Sequence, residues 1–250
     1  MMRHDDPWPL WILPILGGAL VLIGLWGVSQ LVPGTAAGEP DPGVEAPLMT
    51  EPLAKNAAAS VTTARAELED LDIKGRAPKT GYDREHFGDG WADLDDDGCH
   101  TRDEILRRDL TDITLEAGSD CVVDSGQLKD PYTGTGIDFT RGQDTSTAVQ
   151  IDHIVALSDA WQKGAQQWTA ATRERFANDP ANLLAVDGPT NAAKSDGDAA
   201  TWLPPHKAFR CEYVATQVHV KAEYALWVTP AEHDAAKRLL DACHALAPTH

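Results

Sequence analysis

The longest apolar run of the sequence lies close to its amino terminus. Residues 8–32 contain no charged side chain, and about 20 apolar residues suffice to cross the hydrocarbon core of a bilayer. Arg3 precedes this run, whereas the first charged residue after it is Glu39. Because positive charge favours the cytoplasmic side of a membrane, we predict a signal anchor over residues 1–32 with its amino terminus in the cytoplasm.

A cleaved signal peptide is the alternative interpretation of the same segment. Small residues at 35–37 precede Gly38, as they do at signal-peptidase sites, although signal peptides usually have a shorter apolar run. The chain would then be secreted rather than membrane-anchored. Both interpretations place residues 54–250 outside the cytoplasm, behind a linker at 33–53 that is rich in Pro, Gly, Ala and acidic residues.

After the linker, helical and strand-like spacings alternate along the chain. Helical spacing predicts helices at about 54–71 and 104–110, a helical segment at about 158–180 and two carboxyl-terminal helices. The last of these begins at the capping-box sequence of residues 229–232. Residues 121–150 combine turn signals with short β-prone runs, which predicts irregular β structure.

The region of about 148–200 combines two strand patterns with a helix. Residues 149–155 alternate like a strand, residues 182–186 resemble a second strand, and a helix is predicted to begin near Thr190. Together these elements predict an α+β fold in which a strand–strand–helix core is embedded in a mainly helical domain.

The charge of the chain argues against one class of nucleic-acid-binding protein. The formal net charge is −18, so a broad basic surface of the kind that coats nucleic acid is not expected. A bound metal ion and a few local cations can still hold a single phosphodiester. The composition therefore leaves a nuclease possible.

The four cysteines indicate disulfides rather than a zinc ribbon or a redox site. No two of them form a CxxC pair, which those sites need. In an exported chain we expect two disulfides, and four cysteines allow three connectivities. We favour Cys99–Cys121 and Cys211–Cys243, since each closes a local loop; two pairs of free buried cysteines are the alternative.

An acidic segment matches the pattern of a calcium-binding loop. Asp93, Asp95, Asp97, Gly98 and Glu104 follow the spacing D-x-D-x-D-G-x5-E. In such a loop alternate carboxylates point inward, the glycine permits a sharp turn and the glutamate can bind the ion through both oxygens. We predict a structural Ca²⁺ ion here, with a solvated acidic turn as the alternative.

The motifs that carry chemistry resemble those of the HNH superfamily. The segments IDHIVALS, NLLAV and TNAAKSD occur in order, on a strand, a second strand and a helix, as in the ββα-metal nucleases, including the HNH domain of RNA-guided nucleases. The wider sequence, from YDREHFG and WADLDDDGC through PYTG to the carboxyl-terminal cysteines, resembles exported actinobacterial HNH endonuclease-like proteins of the DUF1524 type. The resemblance covers most of the chain after the linker and implies a ββα-metal core.

The resemblance and the chemistry of phosphodiester hydrolysis together suggest a role for each site residue. His153 is expected to act as the general base that activates water. Asp152 and Asn191 are expected to hold a Mg²⁺ or Mn²⁺ ion that stabilises the phosphorane. Asn182 is expected to support the loop and orient the histidine, and Lys194 to hold a phosphate oxygen.

The function expected from these residues is metal-dependent endonuclease activity on nucleic acid, with DNA favoured over RNA. The predicted partners are this substrate and the membrane; no protein partner is inferred. Arg84 and His86 could contact substrate, although packing is the favoured role of the YDREHFG segment. The alternatives are a catalytically silent, calcium-stabilised cell-surface binding module and a hydrolase of a different phosphodiester, such as a wall teichoic acid.

Overall fold

Two small antiparallel sheets lie among seven α-helices in the residues that the computed structural model describes, which are 61–143 and 145–245. The predicted α+β class is confirmed. The helices are α1 (Val61–Asp70), α2 (Thr101–Asp109), α3 (Leu157–Trp161), α4 (Ala170–Ala177), α5 (Gly188–Lys194), α6 (Arg210–Glu223) and α7 (Pro230–Ala245). The strands are β1 (Leu110–Leu115), β2 (Val123–Lys129), β3 (Gly136–Thr140), β4 (Val149–His153) and β5 (Leu183–Asp187).

The predicted membrane anchor cannot be compared with these elements. Residues 1–32, the linker at 33–53 and the first part of the predicted helix at 54–71 lie outside the described residues. Within the described part of the chain, no helix combines the length and the apolar character that a membrane span requires.

The first sheet is more regular than the sequence pattern predicted. Strands β1, β2 and β3 pair in that order, and both pairs are antiparallel. The prediction that Leu110 continues helix α2 is wrong, because the helix ends at Asp109 and Leu110 begins β1. Leu110 is buried in an extended conformation and lies opposite Leu128 in the sheet. Leu110 is therefore buried as part of the sheet and does not extend the helix.

The second sheet and the helix after it form the predicted strand–strand–helix unit. Strand β4 pairs with β5 so that His153 lies opposite Leu183. Helix α5 follows β5 directly, and the Asp187 side chain accepts a hydrogen bond from the Thr190 amide at its first turn. Gly188 is required at this junction, since a Cβ atom there would lie 2.0 Å from the carbonyl oxygen of Thr147.

The segment between these two strands is helical, as predicted. It contains α3, a 3₁₀ turn at Ala165–Gln167, α4 and a second 3₁₀ turn at Pro180–Asn182. Apolar residues of this segment, including Trp161 and Phe176, pack together in one cluster of the core. Helix α4 thereby brings its last residues against the end of β4, where His153 lies.

Two disulfides join parts of the domain that are separate in sequence. Cys99 bonds Cys121, which connects the segment before α2 to the segment before β2, and Cys211 bonds Cys243, which connects α6 to α7. Both predicted pairs are confirmed. The predicted capping box is present as well, because Thr229 and Glu232 exchange hydrogen bonds of 3.2 and 3.3 Å at the start of α7.

A cluster of buried charged residues lies where α3, α6 and α7 meet. The Lys163 ammonium contacts the carboxylates of Asp159, Asp198 and Glu232 at 2.6–2.9 Å, and its side chain is fully buried. Lys221 binds Asp159 and Glu232 from the other side. Buried charges require such pairing, so this cluster fixes the relative positions of the elements that carry it.

Candidate active site

A cavity of about 500 Å³ lies beside strand β4 and brings together the predicted base and metal ligands. His153, Asp152 and Asn191 all line it. Neighbouring residues of a regular strand point to opposite faces, yet Asp152 and His153 at the end of β4 both reach this cavity. Arg84 and Arg102 also form part of its wall.

The imidazole of His153 is held in one orientation by two contacts. Its Nε2 atom lies 2.8 Å from the carbonyl oxygen of Ala177 at the end of α4. Because a carbonyl can only accept a hydrogen bond, Nε2 carries the proton and Nδ1 has the free lone pair. The ring also stacks on Trp91, with 5.7 Å between the ring centroids and an angle of 8° between the planes. Nδ1 is therefore the atom available as a base.

The environment of His153 keeps its ring neutral. The pKa of His153 is lowered from 6.5 to about 3, mainly by burial; the hydrogen bond to Ala177 opposes this effect, and the positive charges of Arg84 and Lys194 add to it. Only 6% of the residue is exposed. At neutral pH the lone pair of Nδ1 is thus free to accept a proton.

Both carboxylate oxygens of Asp152 have partners inside the protein. Oδ1 accepts a hydrogen bond of 3.0 Å from the Lys194 ammonium, and Oδ2 accepts one from the Tyr132 hydroxyl. Burial raises the pKa of Asp152, while Lys194 and Tyr132 act in the opposite direction. Each oxygen keeps a second lone pair, so the carboxylate can still bind a cation at the cavity.

Lys194 occupies a different environment from the one expected for a phosphate ligand. Its side chain is fully buried, and its ammonium donates to Asp152 and, at 2.9 Å, to the carbonyl oxygen of His153. Lys194 is not among the residues that line the cavity. The described geometry therefore supports a positioning role, in which Lys194 holds the end of β4, in place of direct contact with a phosphate.

The two asparagines of the motif have different surroundings. The Asn191 amide nitrogen donates to Gln150 at 3.0 Å, which leaves its Oδ1 atom as a possible metal ligand. Asn182 is fully buried; its Oδ1 accepts from the Val155 amide at 2.8 Å, and its Nδ2 donates to the Val155 carbonyl at 3.2 Å. These bonds fix the chain just after His153, which is the geometry expected of a supporting residue.

The YDREHFG segment contributes both packing and two residues of the cavity wall, Tyr82 and Arg84. His86 stacks on Trp161, with 5.4 Å between the centroids, and Phe87 is buried in the same cluster. Arg84 is exposed and lines both the main cavity and a neighbouring cavity of about 160 Å³ that also contacts His153. Arg84 is thus the positively charged residue with which this segment can meet a substrate.

Two residues of the site were not found by sequence reasoning. Tyr132 belongs to the PYTG segment and reaches Asp152 through its hydroxyl, and Arg102 enters the cavity from the first turn of α2. PYTG carries no predicted role beyond its part in the family resemblance. Arg102 lies within the acidic loop pattern, which predicts a calcium site and not a substrate contact. Their contribution depends on contacts across the fold.

The acidic loop has the geometry of a possible cation site. One carboxylate oxygen from each of Asp93, Asp95 and Asp97 lies within 4.8 Å of the others. Glu104 lies in the first turn of α2; burial raises its pKa, and the charges of the three aspartates raise it further. Three of the four predicted calcium ligands are therefore close together, and binding of the ion stays a prediction.

Comparisons with known proteins connect this site to a nuclease family. The sequence profile described as "GmrSD restriction endonucleases, C-terminal domain" matches residues 100–237, which include every predicted site residue except the three aspartates at 93, 95 and 97. The chain is also 37% identical to an "Uncharacterized secreted protein" of Arthroderma benhamiae over 186 residues, which cover 74% of this chain and 86% of the relative. No solved structure matches the chain.

Proposed function

Because this chain belongs to the family of the GmrSD restriction endonuclease C-terminal domain, we propose that it is a metal-dependent HNH endonuclease. Its substrate is nucleic acid, with DNA preferred to RNA. The observation that carries the proposal is the neutral, oriented His153, whose Nδ1 lone pair is free in a cavity shared with Asp152 and Asn191. The assignment to exported actinobacterial proteins within this family stays a prediction.

His153 acts as the general base in the proposed reaction. Nδ1 takes a proton from a water molecule as the water oxygen bonds to phosphorus, and the bond from phosphorus to one ester oxygen breaks. The Ala177 carbonyl supports this step, because its hydrogen bond to Nε2 strengthens as the ring becomes positive. A pKa near 3 describes a weak base; an anionic phosphate entering the cavity raises that pKa toward the working pH.

Asp152 and Asn191 fit a small divalent cation such as Mg²⁺ or Mn²⁺. They offer one anionic and one neutral oxygen beside the cavity, and this ion prefers a few protein oxygens with its other positions left for water and phosphate. When bound, such an ion supplies charge stabilisation at the phosphate and its leaving oxygen. Tyr132 and Lys194 orient the Asp152 carboxylate toward that task.

The test is cleavage of plasmid DNA by the full-length protein with Mg²⁺ or Mn²⁺. We expect His153→Ala to lower the rate by about 10²–10⁴-fold, the usual contribution of a general base. His219→Ala is the matched control, because His219 pairs with Glu67 and does not line the cavity. Cleavage by His153→Ala at the wild-type rate would exclude this function.

A second candidate function is favoured by the acidic loop. A catalytically silent binding module stabilised by Ca²⁺ would use Asp93, Asp95, Asp97 and Glu104, and not the cavity. It would show no cleavage with any divalent ion and a higher Tm with calcium. A nuclease with a structural calcium ion would show both the cleavage and the rise in Tm.

We also propose that the chain acts outside the cytoplasm. The two disulfides are typical of an oxidising compartment, and the relative from Arthroderma benhamiae is described as secreted. Whether residues 1–32 anchor the chain or are cleaved stays a prediction. Amino-terminal sequencing of the exported protein distinguishes the two.

A further inference from the structure

The charges of the cavity are unevenly paired. Lys79 pairs with Asp196 at 3.1 Å, and Asp152 is neutralised by the buried Lys194. Arg84 and Arg102 also line the cavity, but across residues 61–143 and 145–245 neither guanidinium group forms a hydrogen bond or ion pair. The cavity wall thus carries two guanidinium groups without a carboxylate partner, in a chain whose formal net charge is −18.

Arg102 is half-buried, so its charge is less well solvated than that of the exposed Arg84. Burial lowers the pKa of Arg102, and the positive charge of the neighbouring Arg141 lowers it further, whereas the charge of Asp103 only partly opposes these effects. The adjacent Asp103 does not compensate by direct contact, since its carboxylate bonds to Arg141 and to the Val123 amide. Withdrawing a charge from water without a partner is unfavourable, and an anion in the cavity would relieve that cost.

Arg84 is exposed and lies next to the proposed base. Its positive charge contributes to the low pKa of His153, and it lines both cavities that contact this residue. Arg102 lines only the larger one. The two side chains come from separate parts of the chain, the turn at Arg84–Phe87 and helix α2, so they can contact different groups of one extended ligand.

We propose that Arg84 and Arg102 bind two phosphates of a polynucleotide strand that neighbour the phosphate being cleaved. This inference rests on the proposed nuclease function and deepens it by naming the form of the substrate. A ligand with several consecutive phosphodiesters uses the base and both arginines at once, whereas a compound with one phosphodiester uses the base alone. Guanidinium groups suit this task, since their planar donors match two phosphate oxygens.

The decisive experiment compares a long and a short substrate. Wild type, Arg84→Gln, Arg102→Gln and Arg107→Gln are assayed on a single-stranded 30-nucleotide DNA and on bis(p-nitrophenyl) phosphate, which contains one phosphodiester. Arg107→Gln is the matched control: this exposed arginine lies on the same helix as Arg102, outside the cavity, and its removal changes the net charge equally. We expect Arg84→Gln and Arg102→Gln to raise KM for the DNA by about 10–100-fold and to change hydrolysis of the small substrate much less, so that the ratio of the two rates falls.

Binding of the same DNA in EDTA supplies a readout that does not need catalysis. Each of the two substitutions should lower the slope of log Kd against log salt concentration by about 0.7, the value for one phosphate contact on a single strand. Arg102→Lys should keep this slope, because it keeps the charge, while binding less tightly than wild type. Thermal unfolding of each variant checks that the fold is intact.

The possible failures separate the two proposals. If wild type hydrolyses neither substrate, the nuclease function is wrong, and the binding measurement still decides the role of the arginines. If wild type cleaves the DNA but Arg84→Gln and Arg102→Gln behave like Arg107→Gln, or reduce hydrolysis of both substrates equally, the arginine proposal is wrong and the nuclease function stands.

Discussion

Replacing Asn182 with alanine tests whether the region after His153 depends on one buried amide. The side chain is fully buried and makes two hydrogen bonds to the backbone of Val155. The substitution leaves the amide and carbonyl of Val155 without these partners. A buried group that loses its hydrogen bond costs about 1–3 kcal/mol, so we expect the free energy of unfolding to fall by about 2–6 kcal/mol.

The loss of stability is measured by thermal and urea unfolding. For a domain of this size each kcal/mol changes Tm by about 2–4 °C, so Asn182→Ala should lower Tm by roughly 5–20 °C. It should also reduce cleavage at temperatures where it is folded, because the lost side-chain hydrogen bonds hold Val155, two residues after His153.

Asn191→Ala supplies the comparison for this experiment. Asn191 is half-buried, and its amide makes one hydrogen bond, to the Gln150 side chain. Its replacement should cost less than about 1 kcal/mol of stability and still abolish cleavage if Asn191 binds the metal ion. Equal Tm values for the two alanine variants would refute the assignment of Asn182 as a buried support.

Two further predictions concern the stability of the domain. Replacing Cys211 and Cys243 with serine should lower the free energy of urea unfolding by about 3–4 kcal/mol, because the disulfide closes a loop of 32 residues; an unchanged midpoint would contradict this. Burial alone would raise the pKa of Asp198, but Lys163 and Arg76 lower it to about 2. Above pH 4 the ionised carboxylate therefore contributes about 2 kcal/mol to the free energy of unfolding, and this contribution is lost as the pH falls through about 2. Asp198→Asn should remove that part of the acid dependence of urea unfolding; an acid dependence identical to that of wild type would contradict it.

The elements of the candidate active site could be predicted because their signals are local. The alternation around Asp152 and His153, the run after Asn182 and the turn before Thr190 each lie within a few residues, and each formed the expected element. The disulfides were predictable for a related reason, since each pairs the cysteines that are nearest along the chain.

Contacts between distant residues explain the error at Leu110 and the unexpected surroundings of Lys194, whose role in binding phosphate stays a prediction. Leu110 has the same spacing from Ile105 and Leu106 as a helical residue, yet burial opposite Leu128 draws it into a strand. Lys194 follows Asn191 by one helical turn, which suggested a shared phosphate. The carboxylate of Asp152 instead draws its ammonium into the interior.

Residues from distant segments explain why the site itself was only partly predictable. Tyr132 precedes Asp152 by 20 residues and Arg102 precedes it by 50, and neither belongs to the motif that identified the base. Both reach the site because separate elements pack against β4. A sequence motif therefore identifies the residues of the reaction more readily than the residues that orient them or hold the rest of the substrate.

The acidity of the whole chain and the charge of the cavity act over different distances. At physiological ionic strength exposed charges are screened beyond about 8 Å, so the net charge of −18 weakly affects a phosphate already in contact with Arg84 and Arg102. It does oppose the approach of nucleic acid from solution, since long-range charge governs the rate of encounter more than the strength of contact. A nuclease of this kind therefore depends on its cavity for affinity. For this reason we expect the two unpaired arginines, and not the total charge, to decide whether a polynucleotide is a substrate.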